Sequence, residues 1–253
     1  MTRTALVTGA GSGLGALAAR RLAAAAWDVV AVDVDADGLA ATARRSPNLH
    51  TRVCDVTDPD AVARVVAESG AVHRVVHAAA ISPLGAALEQ PLAEVERVLR
   101  VDFLGTVVVA RATLPGMLAR GRGELVVFSS LGAWLPGHLT SAYASAKAAV
   151  NAFVEALAVE HRGSGVTFRC VCPRQVDTPM YRAIAARHPA ATGGAKGMPP
   201  GRVLDAVERS LARPEDDLYV FPGALTRATV TAKRLLPRAT RHAIAARTDP
   251  HRS

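Results

Sequence analysis

Near its beginning the chain combines a short strand, a glycine-rich turn and a helix, an order that leaves few possible folds. Thr4–Thr8 is an apolar run typical of a buried strand, and it leads into the turn Gly9–Gly15. An alanine- and leucine-rich helix is expected to follow, up to about Ala25. Glycines let the backbone approach a pyrophosphate, and the amino end of the helix offers free N–H groups. The unit predicts a phosphate-binding turn more strongly than glycines alone would.

Strand-like runs and helical patterns alternate along the rest of the chain. Further strands are predicted at 29–33, 51–54, 74–77, 125–128, 166–171 and 218–221. Helices are predicted at 59–68, at 92–119 with an interruption near Gly105, at 141–161 and at 202–212. This alternation predicts a single-domain, Rossmann-like α/β fold, a doubly wound parallel sheet in three α/β/α layers. We assign residues 1–223 to that domain and 224–253 to a basic C-terminal extension.

Residues of chemical interest follow several of these strands directly. They are Gly9–Gly15, Asp33, Asp55, Ala78–Ala80, Ser130 and Thr178. Right-handed crossovers place the carboxyl ends of all parallel strands at one edge of the sheet, where open α/β folds bind ligands. Their convergence is the main sequence evidence for a binding site.

Asp33 ends the second predicted strand, eighteen residues after Gly15. A carboxylate there accepts hydrogen bonds from the ribose hydroxyls of an adenosine and repels a 2′-phosphate. Because no Lys or Arg follows immediately, the sequence favours NAD over NADP. The alternative role is helix capping, for which Asp35 and Asp37 are equally suited. The position of Asp33 at the strand end favours cofactor binding.

The next two strands end in residues suited to the rest of an adenosine. Asp55 could accept a hydrogen bond from the adenine amino group while Val56 packs on the ring. The small residues Ala78–Ala80 would let the backbone pass close to a ribose.

Tyr143 and Lys147 lie four residues apart in an alanine-rich helical segment. Ser130 precedes Tyr143 by thirteen positions. A spacing of four places phenol and ammonium on one helix face. The ammonium is expected to lower the pKa of the phenol, ordinarily about 10, toward the working range. Ser130 follows a buried strand and is expected to meet the phenol above the sheet edge. A surface Tyr and Lys on an ordinary helix is the alternative, since Y-x-x-x-K alone is a weak signal.

The T-G-x-x-x-G-x-G and Y-x-x-x-K patterns together resemble those of the short-chain dehydrogenase/reductase family, from Thr4 to about Phe221. The resemblance implies Tyr143 as general acid/base, Ser130 as the donor that polarises the carbonyl, and Lys147 as the group that lowers the Tyr143 pKa. It also implies a set of dinucleotide-binding residues. These are Thr8, Gly9, Ser12, Gly13, Leu14 and Gly15 at the pyrophosphate, Asp33 at the adenosine ribose, Asp55 and Val56 at the adenine, Ala78 and Ala79 after the fourth strand, Tyr143 and Lys147 at the nicotinamide ribose, and Val176 and Thr178 at the carboxamide.

Three places depart from the family pattern. His77-Ala78-Ala79-Ala80 replaces two asparagines, an alanine and a glycine, and Pro173-Arg174 replaces a Pro-Gly pair. Asp102 stands where an asparagine usually completes the proton relay. Its carboxylate could pair with Lys147, or offset the charge that Lys147 exerts on Tyr143 and so raise the tyrosine pKa. Arg174 could reach a cofactor phosphate, an acidic substrate group or solvent.

These observations predict an NAD-dependent oxidoreductase that interconverts a hydrophobic secondary alcohol and a ketone. The competing hypothesis is a dinucleotide-binding sensor or scaffold with little catalysis, motivated by the three departures; the intact Ser130, Tyr143 and Lys147 favour the enzyme. A Gly- and Pro-rich segment, 192–201, is expected to form a mobile flap. Residues expected to flank the substrate, some of which could instead pack the flap, are Trp134, Leu135, His138, Leu139, Met180, Tyr181 and Ile184.

Composition bears on nucleic-acid binding, metal sites, disulfides and cellular location. The chain has 253 residues, a net charge of +8 and a pI of about 10.2. The positive charge permits contact with nucleic acid, but most of it comes from scattered arginines. Because no recognised nucleic-acid-binding module is present either, the sequence does not favour nucleic-acid binding. Three cysteines without zinc-ligand spacing predict neither a metal site nor structural disulfides. With no room for a signal peptide and no uninterrupted apolar run long enough to span a membrane, we expect a cytoplasmic protein.

The stretch 224–247 alternates apolar and basic residues. Either it packs on the core or on a neighbouring subunit, or it lies as a helix on an anionic membrane surface. Pro237 would divide one long helix into two, which favours packing against protein. The family resemblance implies a small-molecule alcohol or ketone substrate and a homodimer or homotetramer formed through the helices 92–119 and 141–161.

Overall fold

A computed structural model describes residues 3–44, 46–192, 194–213 and 217–239. A seven-stranded parallel sheet lies at its centre, in the spatial order β3-β2-β1-β4-β5-β6-β7. The strands are β1 (Thr4–Thr8), β2 (Asp28–Asp33), β3 (Leu49–Val53), β4 (Val72–His77), β5 (Gly123–Phe128), β6 (Val166–Val171) and β7 (Tyr219–Val220). The direction of winding reverses between β1 and β4, which opens a crevice at their carboxyl ends. The predicted fold class is confirmed.

Helices cover both faces of the sheet. They are α1 (Gly13–Ala24), α2 (Ala36–Ala43), α3 (Pro59–Glu68), α4 (Leu92–Val98), α5 (Gly105–Ala119), α6 (Ser141–Glu160), α7 (Pro179–Arg187), α8 (Pro189–Thr192), α9 (Pro200–Leu211) and α10 (Ala224–Leu235). The bounds of β1, α3 and β6 are those predicted from the sequence. The short helix α2 was not predicted, because the patterns around Asp35 indicated only a possible cap.

The valine-rich strands divide their side chains between two cores. Alternate residues of β2 show the division, since Val29 and Ala31 face the core beneath α1 and α9, whereas Val30 and Val32 face the core beneath α3, α5 and α6. All four are buried. Burying a valine side chain stabilises the fold by about 1.5–3 kcal/mol, so both helical layers are fixed to the sheet by the same strands.

The helix predicted over 92–119 is interrupted as expected. A π-helical segment, Leu99–Leu104, joins α4 to α5, and Gly105 is the first residue of α5. A Cβ atom on Gly105 would lie 2.8 Å from Cγ2 of Val56, so the helix approaches the end of β3 closely only because this residue is glycine. Asp102 lies in the π-helical segment and is fully buried. Single π-helical turns often mark functional sites.

By length and composition alone, the continuous helical stretch Leu92–Ala119 could cross a membrane, and it is the only such helix in the described part of the chain. It is not an uninterrupted apolar run, because Asp102 and Arg111 lie within it. Its apolar residues Leu114 and Met117 belong to the core between α3, α5 and the sheet. Packing inside the fold therefore accounts for its composition.

Helix α10 lies against the domain through one narrow face. Thr226 and Val230 are buried, and the Lys233 ammonium contacts the Trp134 carbonyl oxygen. The Arg234 guanidinium lies 5.3 Å from the centre of the Trp134 ring. For 224–239 these contacts favour packing against the core; Arg241 and Ile244, which contributed to the sequence hypothesis, lie outside the described residues.

Candidate active site

A cavity of 1110 Å³ opens at the carboxyl ends of the strands. Nearly all of the predicted site residues line it. They are Gly9, Ser12, Gly13, Leu14, Gly15, Asp33, Asp55, Val56, Ala78, Ala79, Ser130, Tyr143, Lys147, Val176 and Thr178. Thr8 and Asp102 lie behind this lining rather than in it. The sheet edge therefore brings together the residues that the sequence predicted to converge.

Two glycines set the shape of the turn after β1. Gly9 has a φ of +67°, and a Cβ atom there would lie 2.6 Å from the Ala79 nitrogen. A Cβ atom on Gly15 would lie 2.1 Å from the Gly9 carbonyl oxygen. The turn is thus pressed against both β4 and the start of α1, and any side chain would fill the space beside the backbone. A cradle of this kind fits the pyrophosphate of a dinucleotide.

The amino end of α1 is open toward the cavity. Ser12 is the N-cap residue, and among the described residues its side chain makes no capping hydrogen bond; the first turn holds no acidic residue. Thr178, the N-cap of α7, approaches the other side, with its Cγ2 atom 3.4 Å from where a Cβ atom of Gly13 would lie. Free N–H groups and the positive end of the helix dipole therefore face the space between them.

Asp33 and Asp35 have different roles, which decides between the alternatives left by the sequence. Asp35 caps α2 and accepts a hydrogen bond from the Gly38 nitrogen at 3.0 Å. Asp33 accepts from the Gly11 nitrogen at 2.8 Å and from the Asp35 nitrogen at 3.0 Å, and it lines the cavity. Each carboxylate oxygen keeps a further lone pair that could receive a ribose hydroxyl. Asp33 is therefore the carboxylate that faces the cavity, and its binding of a ribose stays a prediction.

Thr8 supports the turn from below instead of lining the cavity. Its hydroxyl lies 2.7 Å from Nδ1 of His77, and the Ala79 nitrogen donates to it at 3.4 Å. The side chain is 1% exposed. Its contribution to a cofactor site is consequently to fix the β4 end against the turn.

Ser130, Tyr143 and Lys147 lie together in the same cavity, as predicted. Ser130 follows β5, accepts a hydrogen bond from the Gly132 nitrogen at 3.0 Å, and donates its own O–H to the Tyr143 phenol oxygen. Lys147 donates to the Phe128 carbonyl oxygen at 3.1 Å. Its ammonium lies 5.7 Å from the centre of the Tyr143 ring. The three side chains surround one region of the cavity at which a carbonyl oxygen could bind.

Asp102 pairs with the lysine of this group. Its Oδ2 atom lies 3.2 Å from Nζ of Lys147, and its Oδ1 atom accepts from the Ile81 nitrogen at 2.8 Å. The two side chains are 0% and 3% exposed. Burial lowers the pKa of Lys147, but Asp102 and Tyr143 outweigh it and raise the pKa above its ordinary value. Lys147 is therefore protonated, and the Asp102 carboxylate balances its positive charge.

The expected lowering of the Tyr143 pKa is wrong for this structure. Burial raises the pKa above its ordinary value, and Asp102 and Cys172 act in the same direction. Lys147 and a hydrogen bond from Ser130 favour the phenolate, but they do not compensate for burial. Spacing along the chain contains no measure of burial, and it left open whether Asp102 would oppose the lysine.

The cavity lining also includes apolar side chains from the loops and helices that follow β5 and β6. Of the predicted flanking residues, Leu135, His138, Met180, Tyr181 and Ile184 line the cavity. Trp134 instead packs edge-on against Tyr219, with ring centres 5.0 Å apart, and Leu139 pairs through its carbonyl oxygen with the Gly85 nitrogen. The predicted flap contacts the domain at two places in its described part: Met198 is buried and bridges to Val176, and the Tyr181 hydroxyl donates to the Ala195 carbonyl oxygen.

Sequence reasoning missed several lining residues. They are Ile81, Leu84, Arg97, Arg174, Leu225, Thr226 and Thr229. Arg174 was noted without a position, and the last three belong to α10, which no motif connected with the site. The alternation of apolar and basic residues in that stretch was the only signal available. In the described ranges, no group of three or more His, Cys, Asp or Glu residues is placed to hold a metal ion.

Comparison with known proteins agrees with this geometry. Residues 3–189 match the family model described as short chain dehydrogenase. The chain is 35% identical over 231 residues to 1-deoxy-11-beta-hydroxypentalenate dehydrogenase of Streptomyces exfoliatus, covering 87% of this chain and 82% of that protein. It is 34% identical over 192 residues to 2-(R)-hydroxypropyl-CoM dehydrogenase of Xanthobacter autotrophicus, covering 71% and 77%.

A solved structure extends the similarity to the fold. The crystal structure of a short-chain dehydrogenase from Streptomyces avermitilis has a TM-score of 0.83 to this chain at 26% sequence identity, and the match covers 94% of this chain and 95% of that one. The resemblance thus spans the sheet, both helical layers and the region around the cavity.

Proposed function

The chain belongs to the short-chain dehydrogenase family and is an oxidoreductase, and on that premise we propose that it uses NAD to interconvert an apolar secondary alcohol and a ketone. Dehydrogenases of this family bind nicotinamide dinucleotides. The observation that carries the proposal is the position of Ser130, Tyr143 and Lys147 in the same cavity as the glycine turn.

The side chains around Tyr143 suit proton transfer. The dinucleotide would supply the hydride acceptor or donor. Tyr143 accepts the hydroxyl proton during alcohol oxidation and returns it during ketone reduction. Without substrate the Ser130 O–H donates to the Tyr143 phenol oxygen, and in the proposed reaction it turns to donate to the substrate oxygen. Lys147 has three N–H donors, of which Phe128 and Asp102 engage two, and the third remains for a ribose hydroxyl.

The preference for NAD rests on the surroundings of Asp33. Its carboxylate is held in the cavity by the Gly11 nitrogen, where it would repel a 2′-phosphate. The next residue, Val34, also lines the cavity and is 65% exposed, so it provides no positive charge. Both features favour an adenosine ribose with free hydroxyls.

The substrate class is inferred from the apolar walls. Leu135, Met180, Ile184 and Leu225 line the same cavity as the catalytic side chains. The relatives named above act on a hydroxypentalenate and a hydroxypropyl-CoM, both named as hydroxyl compounds. A secondary alcohol or ketone with an apolar body fits this cavity.

A second candidate is a dinucleotide-binding sensor or scaffold with weak catalysis. The raised pKa of Tyr143 and the Asp102–Lys147 pair favour it, because both make the phenolate harder to form at neutral pH. A sensor would bind NAD and leave a broad panel of secondary alcohols and ketones unchanged. Turnover of any member of the panel would identify the enzyme.

The test is to follow absorbance at 340 nm with that panel, in both directions, and to compare Tyr143→Phe with the wild type. Removing the transferable proton should lower kcat by about 10²–10⁴-fold while the Kd for NAD changes little. Tyr219→Phe is the matched control, since Tyr219 lies outside the cavity lining and bonds Glu155 at 2.9 Å. Near-wild-type turnover by Tyr143→Phe would mean that the chemistry lies elsewhere.

A further inference from the structure

Asp102 contacts three parts of the site, two through its carboxylate and one through its backbone carbonyl oxygen. Oδ1 accepts the Ile81 N–H at 2.8 Å, which fixes the chain after β4. Oδ2 lies 3.2 Å from Nζ of Lys147, on α6. The Asp102 carbonyl oxygen also accepts from the Thr106 hydroxyl at 2.7 Å, which fixes the π-helical segment itself. The side chain is fully buried, so water does not screen its charge.

Charge compensation follows from these distances. The Lys147 ammonium has a carboxylate oxygen at 3.2 Å, whereas the centre of the Tyr143 ring is 5.7 Å away. In a buried site the phenol therefore experiences a nearly neutral pair instead of an isolated positive charge. An ammonium without that carboxylate would stabilise the phenolate much more strongly.

We propose that Asp102 is a positioning residue that balances the charge of Lys147, keeps the Tyr143 phenol protonated at neutral pH, and so makes the enzyme a faster ketone reductase than alcohol dehydrogenase. The claim that ketone reduction is faster than alcohol oxidation rests on the proposed function. The claim that Tyr143 stays protonated does not depend on it. In the reduction, the carbonyl carbon receives a hydride, with its electron pair, from the reduced nicotinamide. The carbonyl oxygen receives the Tyr143 proton, and the phenolate regains a proton from water.

Other titratable groups lie near the side chains of Asp102, Lys147 and Tyr143. From β4, His77 faces Lys147, and burial lowers the His77 pKa to about 3, so the ring is neutral. From β6 and the residue that follows it, the thiols of Cys170 and Cys172 approach Asn151, with Sγ atoms 3.3 Å and 3.8 Å from its Oδ1 atom. Asp102 is thus the carboxylate that pairs with Lys147 in the described structure.

The first test measures protonation without a substrate. Ionisation of tyrosine is followed by absorbance at 295 nm as the pH is raised, in the wild type, in Tyr143→Phe, in Asp102→Asn and in the double variant. Subtracting the titration of Tyr143→Phe from that of the wild type, and that of the double variant from that of Asp102→Asn, removes the signals of Tyr181 and Tyr219. The wild-type phenol should remain protonated at pH 9. In Asp102→Asn, which keeps an acceptor for Ile81, its midpoint should fall by about one pH unit or more.

The second test uses the full enzyme with NAD. Asp102→Asn should move the acid limb of the oxidation rate, where the rate rises as Tyr143 ionises, to lower pH by the same amount. It should also reduce the ratio of reduction to oxidation kcat at pH 7 by about tenfold or more. Asp205→Asn is the matched control, because it removes the same charge from an exposed pair with Arg21 outside the cavity lining. A purely structural role for Asp102 would change stability but not these midpoints.

The outcomes are distinct. A wild-type Tyr143 that ionises below pH 9, or an Asp102→Asn midpoint that moves no further than that of Asp205→Asn, overturns the proposal. If Asp102→Asn does not fold, the wild-type midpoint decides. An uncompensated ammonium would lower it below pH 9 and overturn the proposal, whereas a midpoint at or above the ordinary phenol value of about 10 supports compensation. If no substrate is turned over, the absorbance titration still tests the role of Asp102, while the proposed function fails separately.

Discussion

In the proposed function, individual side chains of the cavity select the cofactor or transfer protons. Asp33 is held by the Gly11 N–H, and Lys147 by Asp102 and Phe128. Between them, His77 supports the end of β4 through its contact with Thr8. Each of these roles depends on a charge or a proton that burial makes costly to change, so single substitutions should have measurable effects.

Replacing Asp33 by Ser and Val34 by Arg should move cofactor preference toward NADP. The change removes the carboxylate that faces the ribose and adds a guanidinium at an exposed cavity position. The ratio of the Kd values for NADP and NAD, measured by isothermal titration, should fall by about tenfold or more, the effect of about 1.4 kcal/mol. Asp35→Ser, which affects only the α2 cap, is the control. A wild type that binds NADP more tightly than NAD would contradict the assignment.

His77 should make the fold sensitive to acid. Burial, with a smaller effect of Lys147, lowers its pKa from 6.5 to about 3. The unfolded chain therefore binds more protons than the folded one between these values, so the His77 contribution is complete above pH 6.5 and is lost as the pH falls toward 3. From pH 6.5 to 4.5 the loss should be roughly 2–3 kcal/mol, at about 1.4 kcal/mol per pH unit.

Urea denaturation at several pH values measures this effect. His77→Asn keeps a hydrogen-bonding side chain beside Thr8 but has no titratable ring. Its free energy of unfolding should decline less steeply between pH 6.5 and 4.5 than that of the wild type, while all other groups titrate alike in both proteins. Parallel curves would show that His77 is not the buried neutral ring described here.

At the scale of elements, the turn between β1 and α1 fits so closely that only glycine is possible at its contact points. Gly15→Ala would place a Cβ atom 2.1 Å from the Gly9 carbonyl oxygen, which forces the turn away from the helix. The Kd for NAD should rise by about tenfold or more, because misaligned N–H groups no longer meet the pyrophosphate. An unchanged Kd, measured by isothermal titration, would mean that the turn does not hold the cofactor.

Gly116→Ala in α5 is the matched control for this substitution. A Cβ atom there would meet only the end of the Arg120 side chain, at 3.2 Å. Alanine in a helix interior stabilises by roughly 0.5–1 kcal/mol relative to glycine. The control should therefore bind NAD normally and melt at the same or a higher temperature.

At the scale of the whole molecule, the basic charge is concentrated rather than scattered. Residues 224–253 contain seven Lys or Arg and one Asp, out of a net charge of +8 for the chain. The described part of this stretch packs through Thr226, Val230 and Lys233 and forms a wall of the cavity. The separate extension, the cytoplasmic location and the homodimer or homotetramer remain predictions.

Truncation after Gly223 tests what the C-terminal stretch does. Removing α10 uncovers Trp134 and one cavity wall, so the shortened protein should melt at a lower temperature and lose activity on apolar substrates. Gel filtration reports its oligomeric state, and co-sedimentation with anionic vesicles reports membrane contact. Sedimentation of the full-length protein, with the truncated one folded, soluble and unchanged in size, would show that the stretch serves a membrane instead.

The sequence by itself determined the order of the strands, the glycine turn after β1 and the meeting of Ser130 with Tyr143 and Lys147. These features follow from short-range patterns: apolar periodicity, glycines at a strand end and a spacing of four on a helix. Because every strand is parallel, residues that follow strands must reach the same edge.

Only the tertiary structure decided how the site is charged and enclosed. The 3.2 Å contact of Asp102 with Lys147, the withdrawal of Thr8 behind the turn and the α10 wall all join distant parts of the chain. The pKa of Tyr143 changed direction for the same reason, since it depends on how much water packing removes. Spacing along a chain gives proximity, but burial determines the strength of a charge, and burial is a property of the folded molecule.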